Sequence, residues 1–173
     1  MQEVELKFID INIEEIKKKI TDLGAKKTYE KDMENLFLCK EGFDFRDSSK
    51  KILRLRKTND SVVLNYKGPN ESSQMHNKEE IEIQVDDLEK TISLFERLEF
   101  TKTNILKKHR EHYEMDDVHF EFDTVEDIPT YLEIETQSEK AMIDICKKLD
   151  LDITKGQGKN VFELFPDELK DFV

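Results

Sequence analysis

The sequence predicts an α+β fold: a closed, eight-stranded antiparallel β-barrel, or tunnel, with a charged interior and helices packed outside. Three observations predict it. Short stretches alternate apolar and charged residues with a period of two, the pattern of strands with two unlike faces. Three of these stretches open Glu-x-Glu, at Glu3/Glu5, Glu80/Glu82 and Glu133/Glu135, and each runs into a capped amphipathic helix. The strong charges also divide by sign, with Glu3, Glu5, Asp123, Glu133 and Glu135 on three strands and Arg54, Arg56, Lys67, Lys108 and Arg110 on three others. Helices over the apolar faces leave the charged faces turned to the opposite side. Eight strands close into a barrel just wide enough for side chains or one small ligand.

The first strand, Glu3-Val4-Glu5-Leu6-Lys7-Phe8, sets Glu3, Glu5 and Lys7 against Val4, Leu6 and Phe8. Asn12 or Asp10 then caps a helix with Ile13, Ile16, Ile20 and Leu23 on its apolar side, and Gly24 stops it in a left-handed cap. Residues 25–39 read as extended with a turn near Asp32-Met33, and 40–51 as a polar connection. Lys51-Ile52-Leu53-Arg54-Leu55-Arg56 puts both arginines on one face, and after a turn at Asp60-Ser61 the next strand aligns Val63, Asn65 and Lys67. Gly68-Pro69 ends it, and 69–77 read as a mobile loop. Glu80 to Val85 repeats the opening pattern, and Asp86 or Asp87 caps a helix with Leu88, Ile92, Phe95 and Leu98. A long strand from about 101 to 113 carries Lys108 and Arg110 on one face; its other face, with His109, Glu111 and Tyr113, is not cleanly apolar. After Met115-Asp116-Asp117 comes a strand setting His119, Glu121 and Asp123 against Val118, Phe120 and Phe122. Tyr131-Leu132-Glu133-Ile134-Glu135 begins the third copy, whose helix has Ser138 as cap and Ala141, Met142, Ile145 and Leu149 on its buried side. A Gly-containing turn over 155–159 reads as flexible. The amphipathic tail, 161–173, either packs on the barrel or serves a homodimer contact.

A chain of 173 residues fits one domain, 1–173, with a real core, and no run approaches ~18–20 apolar residues. The start lacks a secretory pattern, and Cys39 and Cys146 stand too far apart for a CxxC pair, so a cytoplasmic location is expected. A net charge of −12 argues against nucleic-acid and membrane-surface partners. His109-x-x-His112 with His119 is a poor zinc motif, because His109 and His112 point to opposite faces of a strand. The 155–159 turn lacks P-loop spacing.

An acidic and a basic wall suit a polyphosphate held beside a divalent ion. Carboxylates match Mg²⁺ or Mn²⁺, while Arg and Lys match phosphate oxygens. In that order along the chain, Glu3-x-Glu5-x-Lys7, Arg54-x-Arg56, Tyr66-Lys67-Gly68-Pro69, Lys108-x-Arg110, Asp123 and Leu132-Glu133-Ile134-Glu135 resemble the CYTH, or triphosphate tunnel metalloenzyme, superfamily, and most nearly its CyaB-like branch of class IV adenylyl cyclases. One departure is Ile128-Pro129-Thr130-Tyr131, where relatives commonly have Leu-Gly and an aromatic.

The resemblance implies a tunnel enzyme using Mg²⁺ or Mn²⁺. Glu3, Glu5, Asp123, Glu133 and Glu135 would be metal-side carboxylates. Lys7, Arg54, Arg56, Lys67, Lys108 and Arg110 would contact phosphate, with Glu5 and Lys7 as the catalytic pair. Glu80 and Glu82 face the tunnel without an assigned role. The expected reaction converts ATP to cyclic AMP and pyrophosphate. Hydrolysis of tripolyphosphate, thiamine triphosphate or a nucleoside triphosphate is the alternative, and a non-catalytic polyphosphate sensor a further one.

Overall fold

Alternation becomes pairing in the computed structural model, which describes residues 2–45, 47, 50–69 and 76–170, with the side chains of 2, 3, 76–78 and 104 left aside. The strands are β1 (Gln2–Phe8), β2 (Lys26–Cys39), β3 (Ile52–Lys57), β4 (Val62–Lys67), β5 (His76–Val85), β6 (Thr101–Met115), β7 (Val118–Val125) and β8 (Ile128–Thr136). All pairs are antiparallel. β1 pairs with β5 on one side and with β8 on the other, so the order β1-β5-β4-β3-β2-β6-β7-β8 leads back to its first strand. The four helices α1 (Ile13–Asp22), α2 (Leu88–Arg97), α3 (Glu139–Lys148) and α4 (Val161–Leu164) make the fold α+β.

Local chemistry explains the helix boundaries. Asn12, Asp87 and Ser138 each accept a backbone N–H of the first turn, from Glu15, Lys90 and Ala141. Gly24 follows α1 at φ +104°, a conformation that any side chain would strain. The three Glu-x-Glu strands are β1, β5 and β8, and each leads into one of these helices as expected.

The outward faces carry two of the three cores. Val4, Leu6 and Phe8 of β1, with Phe120, Phe122, Leu132 and Ile134, pack under Ile16 and Ile20 of α1 and Met142, Ile145 and Cys146 of α3. At roughly 1.5–3 kcal/mol per fully buried side chain, this cluster is the main weld between the helices and the sheet. Ile92 of α2 covers Leu38 and Leu55, flanked by Leu36, Leu53 and Leu64. The third core lies elsewhere. Phe37, Ile52, Leu106, Val125, Ile128 and Tyr131 meet Phe45, Phe162 and Phe165, so one end of the space inside the strands is apolar. The interior is therefore charged over part of its length only.

Four local expectations change. No turn interrupts β2 at Asp32-Met33, because these residues pair in register with His109 and Lys108 of β6. The 40–51 connection is not wholly polar: Phe45 is 1% exposed and closes the apolar end. Of the loop expected over 69–77, residues 70–75 lie outside the described residues, and β5 already begins at His76. The 155–159 turn is tied down. Lys7 N donates to Gln157 O at 3.0 Å and Gln157 N to Lys7 O at 2.8 Å, while a Cβ on Gly156 would stand 2.9 Å from Leu6 Cδ1. The tail packs on the strands, as one of its two expected roles had it, through Phe162, Phe165 and Leu169. Among the described residues no helix is long and apolar enough to cross a membrane.

Candidate active site

The inward positions of β8 are Tyr131, Glu133 and Glu135, while Leu132 and Ile134 sit in the core behind them. Pairing then sets the neighbours. Lys7 stands opposite Glu133, and Glu5 opposite Glu135. Around the ring the acidic strands β5, β1, β8 and β7 are contiguous, and so are β4, β3, β2 and β6, of which β4, β3 and β6 carry the basic positions. Where the two arcs meet, acid faces base: Arg110 opposes Asp123 at one seam and Lys67 opposes Glu80 at the other. Sign segregation thus holds by strand, but the two walls touch at both seams, and Lys7 is a cation within the acidic arc.

These side chains enclose a cavity of about 390 Å³ lined by Glu5, Lys7, Arg54, Arg56, Lys67, Glu80, Glu82, Lys108, Arg110, Glu121, Glu133 and Glu135. Asp123, wholly buried, stands behind the wall. Glu3 belongs to β1, but its side chain lies outside the described residues. The sequence reading placed Glu121 on the inward face without giving it a role; the period-two pattern of His119, Glu121 and Asp123 held the signal.

Three carboxylates, Glu5, Glu133 and Glu135, bring one oxygen each within 4.8 Å of one another, and Glu121, Asp123 and Glu133 do the same. The two sets differ in what already occupies them. Asp123 accepts from Arg110 Nε at 2.6 Å, Arg110 Nη2 at 2.7 Å and Lys108 Nζ at 2.6 Å, and Glu121 is ion-paired to Arg110. The first set faces Lys7, whose ammonium is paired with Glu5 and lies 3.6 Å from Glu133. A position that already holds one cation against hard oxygen donors fits Mg²⁺ or Mn²⁺.

Titration follows the same geometry. Burial, then Glu121 and Glu133, pushes Glu135 well above the usual carboxylate range. Such a carboxyl keeps its proton until a dication displaces it. Burial opposes the charge on Glu133 too, but Lys7 and Arg110 hold its pKa low. Burial and then Arg110 bring Lys108 down to about 8, and burial and then Arg56 bring Arg54 down to about 9. Both stay largely cationic at neutral pH. Burial raises the Cys146 thiol to about 11, so it is no nucleophile, and Cys39 is likewise a free thiol.

Arg54 and Arg56 differ from the other cations. Lys7, Lys67, Lys108 and Arg110 each have a carboxylate partner. Among the described residues neither Arg54 nor Arg56 has a carboxylate within 4 Å, and the Nε of each is buried without a hydrogen bond. Buried donors of this kind are costly to leave unmatched. They sit on β3, four places from β8 in the eight-strand order. The cavity therefore has an anion-binding pole across from a carboxylate pole.

A strand ring with helices outside and opposed cationic and acidic poles within defines a class of protein built to take a multiply charged small anion together with a metal ion. The chain belongs to the CYTH domain family, whose family model matches residues 1–160. Enzymes of this family are metal-dependent and act on small triphosphate compounds. A Methanocaldococcus jannaschii protein provisionally named an adenylate cyclase is 32% identical over 148 residues, which are 84% of this chain and 79% of that protein. The PH1012 protein of Pyrococcus horikoshii superposes with a TM-score of 0.78 at 31% identity, over 95% of this chain and 99% of that one. A Hippeastrum protein, provisionally an adenylyl cyclase and described as having a dominant triphosphatase activity, shares the fold at TM-score 0.65 and 20% identity, over 96% and 95% of the two chains.

Proposed function

We propose that this chain is a divalent-metal-dependent enzyme acting on a triphosphate inside the strand ring, which works as a closed tunnel, in the manner of class IV adenylyl cyclases: ATP to cyclic AMP and pyrophosphate. One observation carries the reading: Arg54 and Arg56, with no carboxylate partner among the described residues and the Nε of each buried without a hydrogen bond, face, around the ring, the Glu5, Glu133 and Glu135 carboxylates. A pure anion binder gains nothing from three carboxylates beside its ligand.

Glu5, Glu133 and Glu135 would hold the ion, with Glu3, of the same strand as Glu5, as a further metal-side carboxylate. A bound Mg²⁺ or Mn²⁺ would neutralise charge building on the phosphoryl oxygens. Arg54 and Arg56 fork onto the triphosphate and fix its orientation. Lys67, Lys108 and Arg110 line its path. Lys7 and Glu5 work as a catalytic pair, the ammonium standing between carboxylate and phosphate and holding charge at the reacting centre. The apolar end built by Phe37, Ile52 and Phe162 gives an organic group a place to lie, which favours a nucleotide over inorganic tripolyphosphate. Triphosphate hydrolysis is the second reading, favoured by the activity of the Hippeastrum protein. The two reactions differ in which phosphorus meets the ion. One domain spans 1–173, in the cytoplasm.

Incubation with ATP, tripolyphosphate and thiamine triphosphate, each with Mg²⁺ and with Mn²⁺, is expected to give cyclic AMP and pyrophosphate from ATP. Phosphate without cyclic AMP would replace the cyclase by the hydrolase. Neither product, with triphosphate binding intact, would leave a sensor. Arg56→Ala is expected to weaken triphosphate binding about 10–100-fold, the worth of a hydrogen bond to a charged group. Calorimetry with a non-hydrolysable triphosphate measures this, and an unchanged Kd would remove the arginine pole.

A further inference from the structure

At the end of the ring away from the apolar cluster, β6 and β7 turn through Asp116-Asp117, and their last inward residues converge. His112 Nε2 lies 3.3 Å from His119 Nδ1, which lies 3.4 Å from Glu114 Oε1. We propose that His112, Glu114 and His119 form a second metal site, for a borderline transition-metal ion of the Zn²⁺ or Co²⁺ class, separate from the oxygen-only carboxylate set.

The distances suit an ion. Bonds of ~2.0–2.1 Å at tetrahedral angles separate adjacent donors by about 3.3–3.4 Å. Protein hydrogen bonds alone serve the cluster poorly, because the single Nδ1 of His119 faces both His112 and Glu114, and one proton satisfies only one of them. An ion uses all three lone pairs at once.

His112 is also braced as a ligand should be. It is 5% exposed, and its ring lies flat on Tyr29 with centroids 4.5 Å apart and 2° between planes. Its Nδ1 is 2.6 Å from Thr28 Oγ1, and that hydroxyl donates to the His112 carbonyl at 3.4 Å. With the hydroxyl proton on that carbonyl, Thr28 Oγ1 accepts from Nδ1–H and the Nε2 lone pair is left facing His119. A hydrogen bond of this sort to the other ring nitrogen sets the tautomer of a metal-bound imidazole.

The His109-x-x-His112 spacing, a poor zinc motif on a strand, includes His109, and that residue is elsewhere. Its ring meets Asp32 at 2.7 Å and Glu30 at 3.1 Å on the outer face. Imidazole nitrogens select Zn²⁺ and Co²⁺ over Mg²⁺, so the two sites divide metals by ligand chemistry. Three protein ligands leave a fourth position open. His119 pairs in register with Glu135, so the cluster lies next to the carboxylate pole.

Cobalt reports on such a site. The metal-stripped full chain, in excess Mg²⁺ to fill the carboxylate set, is titrated with Co²⁺ while its visible d–d absorption is followed. One equivalent should bind with the strong spectrum of a four-coordinate ion, and Zn²⁺ should displace it. His119→Ala, at a side chain 40% exposed and so tolerant of truncation, should weaken Co²⁺ binding by more than about 10-fold, and Thr28→Val by about 10-fold. His109→Ala should keep the spectrum. Absence of the spectrum in the wild-type chain, its survival in a folded His119→Ala chain, or its loss in His109→Ala would overturn the site and leave a hydrogen-bonded relay.

Discussion

Glu135→Gln is expected to lower turnover by about 10²–10³-fold, near 3–4 kcal/mol of barrier, while leaving the fold and its thermal midpoint almost unchanged. The two halves of that expectation have one cause. Burial beside Glu121 and Glu133 keeps the Glu135 carboxyl in its protonated form without a cation, and an amide is close to that form in shape and charge. The metal-free protein therefore loses nothing when the amide is installed. The ion-bound protein loses a formal negative charge from a set of three. Steady-state rates across Mg²⁺ concentrations measure the effect, and part of the loss should return at high Mg²⁺. Undiminished turnover would sink the carboxylate pole and with it the assignment of Glu5 and Glu133.

Alternation carries information about faces, and faces were legible. Arg54 and Arg56 turn inward and Leu53 and Leu55 outward because side chains on a strand must alternate. The same rule placed Glu133 and Glu135 inward and put His109 and His112 on opposite sides. What alternation does not carry is partner identity. That β1 lies between β5 and β8 decides that Lys7 faces Glu133, and no local pattern states it. The seams follow from the same pairing: Arg110 meets Asp123 across 13 residues, so walls of opposite sign inferred strand by strand turn out to be joined. The apolar end was legible in principle. Ile52 precedes Arg54, Leu106 precedes Lys108 and Val125 follows Asp123, each by two places on the inward face. Reading only the charged members of each face hid it. Phe45 gave little signal, being one of only two aromatics, with Phe43, in an otherwise polar stretch. The tie between Gln157 and Lys7 is a backbone bond and leaves no mark in side-chain composition.

Asp123→Ala is expected to destabilise the metal-free protein by about 3–5 kcal/mol, a fall of roughly 10 °C in thermal midpoint for a chain of this size. Asp123 is wholly buried, and both of its oxygens are taken by Arg110 and Lys108. Burial would raise its pKa, yet these two cations hold it below the usual range, so it stays charged. Truncation would leave Arg110 and Lys108 sharing a buried space with Glu121 and Glu133 only. Uncompensated buried charge dominates the loss when one partner of such a pair is removed. The prediction separates two roles for a residue that the family pattern places among the metal-side carboxylates. A carboxylate that only ligates an ion takes up a proton when the ion is away, so an amide in its place costs the metal-free protein little, as at Glu135. A carboxylate that clamps Arg110 stabilises the protein with or without metal. Chemical denaturation of both variants in chelator decides between them. A change below about 1 kcal/mol in Asp123→Ala would show that Arg110 does not depend on the clamp, and a fall of the expected size would make Asp123 the group that aims Arg110 at the phosphate path.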